Sequence, residues 1–193
     1  MQSAKAPEFD PKRPLASAFA TARAVLFSPR AFFSNLPPEG GLREPVLFAL
    51  VIGAVTGVLG AAVALVSNAV GGGIGADDLR AAVVEGVLFA GLSPLGVGIS
   101  AVVYLLSVRT FVGKVGDLRQ IYRLVAYAYA AFAFAWVPIL GAVAIPYALL
   151  VVMGIAIKEV YGASFLTAVI TALVGFIPVG TMLVWVTAVV LTS

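Results

Sequence analysis

The sequence predicts an all-α fold: a polytopic membrane helix bundle with five transmembrane helices, preceded by one or two short amphipathic interfacial helices. Three observations predict it. Of 193 residues, 62% are hydrophobic and only 11% charged, with a mean hydropathy of +1.09, whereas a soluble domain carries about 25% charged residues. The stretch Leu124–Ile157 contains no charge. As one helix it would run roughly 50 Å against a hydrocarbon core about 30 Å thick, so it has to fold back. Apart from Arg80, every Lys and Arg lies within residues 1–44, within 109–123 or at Lys158. Those segments share one side of the bilayer when the apolar runs between them are counted as spans.

Residues 1–44 are expected to form a cytoplasmic N-terminal segment and residues 45–193 a single membrane domain. Met1–Pro14 is polar and proline-rich and reads as an unfolded lead-in. Leu15, Phe19, Ala22 and Leu26 then recur at helical spacing. Ser28-Pro29 stops that helix and starts another, with Ser28 as N-cap and Pro29 in the first helical position. One reading lays Leu15–Leu36 in the membrane interface, with Phe32 and Phe33 dipping into lipid and Arg23 and Arg30 at the headgroups. The other packs it on the protein's own cytoplasmic face. No cleavable signal peptide is expected, because the first long apolar run starts only near Pro45.

Spans are expected at about 45–70, 82–108, 118–137, 139–157 and 164–191. The first contains Gly53-Ala54-Val55-Thr56-Gly57, a spacing that lets helices approach closely. It serves packing against another span of the chain, or a homo-oligomer face. The Gly-rich run 71–75 lacks the Lys-Ser/Thr ending of a phosphate loop and reads as a connector. Asp77 and Asp78 then cap the second span. Pro94 interrupts that span's middle and frees backbone carbonyls. The turn of the charge-free hairpin falls at Trp136–Gly141: Pro138 biases Val137 away from helix and Gly141 tolerates a tight turn. Residues Gly175–Gly180 around Pro178 interrupt the last apolar run. One long kinked span is expected there, with a re-entrant hairpin as the alternative. The hairpin should bring the start of the third span and the end of the fourth to one edge, pairing Arg119 or Arg123 with Glu159. The alternative is that each side chain snorkels separately.

A family resemblance rests on Gly116-Asp117-Leu118-Arg119-Gln120, Arg123-Leu124-Val125-Ala126-Tyr127-Ala128, Val137-Pro138-Ile139-Leu140-Gly141, Gly154-Ile155 and Glu159-Val160-Tyr161-Gly162. A second match lies at Leu26-Phe27-Ser28-Pro29-Arg30-Ala31-Phe32-Phe33 and Leu36-Pro37. Together they resemble the prokaryotic branch of the Yip family, from about Arg23 onward. The resemblance implies a five-span membrane protein with a cytoplasmic N-terminus and an external C-terminus, and a role in membrane organisation or partner binding. Eukaryotic members interact with Rab-type GTPases.

The chain holds no Cys and no His. That excludes disulfides, Cys/His metal sites and serine–histidine chemistry, including any at Ser93. No cofactor is expected. The basic residues track the span ends rather than a stripe with aromatics, which argues against nucleic acid as a partner. Three functions come into question. A non-enzymatic scaffold or adaptor in a prokaryotic cytoplasmic membrane would use Arg23, Arg30, Phe32, Phe33, Arg109, Lys114, Arg119 and Arg123 toward lipids or a cytoplasmic protein. A transporter or channel for a neutral solute or lipid would use the breaks at Pro94, Pro138, Pro146 and Pro178, without an ionisable residue at mid-span. An enzyme acting on lipid or peptide lacks paired carboxylates.

Overall fold

The computed structural model describes residues 7–37, 40–113 and 116–192, and for Glu85, Pro138 and residues 182–192 the backbone alone. Its elements are α1 (Pro14–Phe27), α2 (Pro29–Ser34), α3 (Arg43–Gly71), α4 (Ala76–Phe111), α5 (Leu118–Ala128) running into a 3₁₀ segment (Tyr129–Phe134), α6 (Pro138–Pro146), a π-helical segment (Tyr147–Val152), α7 (Met153–Tyr161) and α8 (Phe165–Thr192). No strand occurs among the described residues. Among the described residues, three helices are long and apolar enough to cross a membrane: Arg43–Gly71, Ala76–Phe111 and the continuous run Ile139–Tyr161.

The α3–α4 hairpin is closed at its tip by Asp78, whose carboxylate accepts from the Gly75 backbone at 2.8 Å and from the Asn68 amide at 3.1 Å. Lower down, the GxxxG face of α3 meets α4. A Cβ on Gly57 would lie 2.6 Å from the Gly86 carbonyl oxygen, and one on Gly53 would lie 2.4 Å from Ser93 Oγ. The small residues therefore serve contact within the chain. Pro94 sits inside a continuous α4. The carbonyl its ring leaves without a donor is that of Ala90. Ser93 Oγ lies 2.8 Å from that oxygen and 3.0 Å from the Ala49 oxygen, a shared donor that ties the two helices together.

After Phe134 the chain turns through residues 135–137, and Val137 is extended ahead of Pro138 at the start of α6. The turn falls where the proline predicts, but Gly141 acts differently from expectation. It is helical, and its hydrogen leaves room for the Ala135 carbonyl oxygen, which a Cβ would approach to 2.5 Å. Gly162, at φ 62°, ends α7 in the left-handed conformation. α8 continues through Pro178 without a break.

Two expectations for the N-terminal part need correction. Residues 7–13 are not an unfolded lead-in: Phe9 is buried edge-on to Phe48, ring centroids 5.9 Å apart. α1 and α2 pack into the bundle through Ala18, Thr21, Val25, Phe32 and Phe33, while Leu15 and Phe19 point outward. α1 is apolar on nearly every side, so helical periodicity does not select its buried face. Polar anchors select it: Thr21 Oγ1 donates to the Pro7 carbonyl at 2.7 Å, and the Tyr147 hydroxyl donates to the Leu26 carbonyl at 2.7 Å. Ser28 and Pro29 occupy the expected N-cap and first helical positions, but the Ser28 hydroxyl makes no capping bond.

Candidate functional site: a buried arginine and a basic face

α5 begins at Asp117, whose carboxylate accepts from the Arg119 backbone at 3.2 Å. Arg119 and Arg123 lie one turn apart, yet Arg119 is exposed and Arg123 is 2% exposed, a fully enclosed guanidinium. One terminal nitrogen of Arg123 donates to the Pro37 carbonyl at 2.7 Å and the other to Glu8 Oε1 at 2.7 Å. The Tyr127 hydroxyl, one further turn along α5, donates to the same Glu8 oxygen at 3.2 Å. A Cβ on Gly40 would come within 2.3 Å of Arg123 Cζ, so Gly40 lies directly against the guanidinium. The Arg123 Nε has no partner among the described residues. An aromatic wall surrounds the node: Tyr127 meets Phe32 at 5.2 Å and Phe48 at 5.4 Å between centroids, and Phe32 meets Phe33 at 5.2 Å.

This geometry replaces the expected pair. Glu159 is bridged by Arg30 at 3.4 Å, and Arg123 is bridged by Glu8 at 2.7 Å. α2 packs against α7 and carries Arg30 to Glu159, while Arg123 faces inward, toward the N-terminal segment. Phe32 and Phe33 are not a lipid or partner face, because both rings are core. Arg23, Arg109 and Arg119 are exposed and have no ion-pair partner among the described residues. Lys114 lies outside the described residues. Glu8, Gly40 and the Pro37 carbonyl were missed by sequence reading. The available signal was a carboxylate beside an aromatic, Glu8-Phe9, in an otherwise polar lead-in.

The irregular stretches of the bundle are closed by side chains. Thr56 Oγ1 donates to the Phe132 carbonyl at 2.9 Å, at the 3₁₀ segment. The Tyr104 hydroxyl donates to the Leu149 carbonyl within the π segment, and the Tyr122 hydroxyl to the Pro94 carbonyl at 3.2 Å. Carbonyls released by helix irregularity are costly in lipid unless a donor meets them. Among the described residues no group of three or more His, Cys, Asp or Glu could hold a metal ion.

A helical bundle whose described residues include three helices long and apolar enough to cross a bilayer, with the carbonyls released at its helix irregularities met by side-chain donors, defines a multi-pass integral membrane protein. Residues 23–188 match the Yip1 domain family, and the chain belongs to that family. No curated protein and no solved structure matches the chain. The matched region contains Pro37, Gly40, Arg123 and Tyr127 but not Glu8 or Phe9.

Proposed function

We propose that the protein is a non-enzymatic scaffold or adaptor of a prokaryotic cytoplasmic membrane. It crosses the bilayer five times, with its N-terminus and basic face in the cytoplasm and its C-terminus outside. The basic face binds anionic lipid headgroups and a cytoplasmic protein partner. The observation that carries this reading is the outer flank of α1–α2. There Leu15, Phe19 and Phe27 are 72%, 73% and 78% exposed, beside exposed Arg23 and Arg30. Exposed apolar side chains interleaved with arginines suit a headgroup boundary. Exposed Arg109 and Arg119, at the end of α4 and the start of α5, extend the positive charge.

The transporter reading drew on broken helices. The breaks at Ala90, Phe132 and Leu149 are met by Ser93, Thr56 and Tyr104, which supports packing rather than a solute path. Any pairing of protomers would use a surface other than Gly53–Gly57, which is filled by α4.

The test replaces Arg23, Arg109 and Arg119 with Glu and measures anionic phospholipid and protein retained on purification. A loss of anionic-lipid affinity of about a hundredfold is expected, since each of the three basic residues near a charged surface contributes about 1 kcal/mol. Unchanged lipid and protein retention would overturn the proposal. Solute flux through the intact protein in liposomes would put the transporter in its place.

A further inference from the structure

We infer that the Arg123 node is a recognition pocket for an extended acidic–aromatic segment, held in cis by Glu8-Phe9 and opened to a partner's segment of the same chemistry when Glu8-Phe9 leaves. This deepens the partner-binding reading above and rests on it.

Residues 7–10 are seated as a bound peptide would be, each through a side-chain contact with the bundle. The Pro7 carbonyl accepts from Thr21 Oγ1 at 2.7 Å. Glu8 Oε1 accepts from Arg123 at 2.7 Å and from Tyr127 at 3.2 Å. Phe9 is buried against Phe48. The Asp10 backbone N–H donates to Ser17 Oγ at 3.0 Å, and its carbonyl accepts from the same hydroxyl at 2.9 Å.

The receiving surface has its own supports. Arg123 is held by the Pro37 carbonyl, and Tyr127 is wedged between the Phe32 and Phe48 rings. The receiving residues Thr21 and Ser17 stand on α1, and Arg123 and Tyr127 on α5. The Arg123 side of the node lies within the family-matched region and the Glu8-Phe9 side before it, which makes the two separable in sequence. A buried guanidinium left without an anion is strongly unfavourable, so departure of Glu8 requires another anion in its place. The adjoining Phe48 face selects an aromatic beside it.

The test uses the full chain in nanodiscs and a fluorescent peptide with the sequence of residues 5–12. Against a Glu8→Ala, Phe9→Ala chain, the peptide should bind about tenfold or more tighter than against the intact chain, whose pocket is filled. A peptide carrying Glu8→Gln should lose roughly tenfold, the scale of a charge-assisted hydrogen bond. No binding to the substituted chain, or equal binding to both chains, overturns the inference. Loss of the folded protein in the substituted chain also overturns it, because the N-terminal segment is then a fixed part of the core. Recovery of thermal stability by phosphatidylglycerol and not by the peptide assigns the pocket to a lipid phosphate and likewise overturns it. If the peptide fails while charge reversal at Arg23, Arg109 and Arg119 still releases lipid and protein, only this inference falls; if both fail, the basic-face reading falls too.

Discussion

Glu8 and Arg123, 115 positions apart, share a 2.7 Å hydrogen bond in which the guanidinium is 2% and the carboxylate side chain 22% exposed. The pair joins the N-terminal segment to the start of the charge-free hairpin. Its asymmetry of burial sets the first expectation. Glu8→Ala leaves an enclosed cation and should cost about 2–4 kcal/mol in a detergent or nanodisc melt. The double variant Glu8→Ala, Arg123→Met removes both charges and should be more stable than Glu8→Ala alone. A double variant as unstable as the sum of the two single changes would show that the pair is not coupled.

Arg30 and Glu159 provide the contrast. They lie 3.4 Å apart with the Arg30 side chain 74% exposed. Water screens that bridge, so Arg30→Gln should change stability by no more than about 1 kcal/mol. A loss comparable to that of Glu8→Ala would contradict the ranking.

The α3–α4 crossing is set by hydrogen-sized side chains. Gly57→Ala drives a methyl into the Gly86 carbonyl, 2.6 Å away, and should cost about 1–3 kcal/mol. Gly60→Ala, one turn nearer the tip, meets nothing within 4 Å and should stay within about 0.5 kcal/mol of the parent. Equal effects at the two positions would mean that the crossing lies elsewhere.

Thr56 and Tyr104 close the 3₁₀ and π segments through the Phe132 and Leu149 carbonyls. Thr56→Val and Tyr104→Phe should each lower stability by about 0.5–1.5 kcal/mol, the scale of hydrogen bonds within membrane proteins. A gain in stability from either change would show that these bonds do not seal the breaks.

The proposed topology is open to cysteine labelling, because the chain contains no Cys. Ile74→Cys, at an exposed position in the α3–α4 loop, should react with an impermeant reagent from outside the cell. Lys114→Cys should react only after permeabilisation, and Ser193→Cys without it. Protection of Ser193→Cys in intact cells would remove the fifth crossing.

Much of the architecture is legible along the chain because lipid imposes a strong constraint on composition. A run without charge such as Leu124–Ile157 has few alternatives to a helical hairpin, and Pro138 marks its turn through local chemistry alone. The Gly53–Gly57 face likewise announces close helix contact, though not with which helix. Sequence by itself thus determined the helical membrane class, the main apolar runs, the hairpin turn and the family resemblance. Tertiary structure alone decided which arginine turns inward, that Glu8 meets it, that Phe32 and Phe33 are core, and that Glu159 belongs to Arg30. Helical spacing makes Arg119 and Arg123 near-equivalent neighbours on one face. Their fates diverge because Pro37, Gly40 and Glu8, all distant in sequence, converge on one of them. Local pattern reports which residues can be buried; only the arrangement of distant segments supplies the partner that makes burial of a charge affordable.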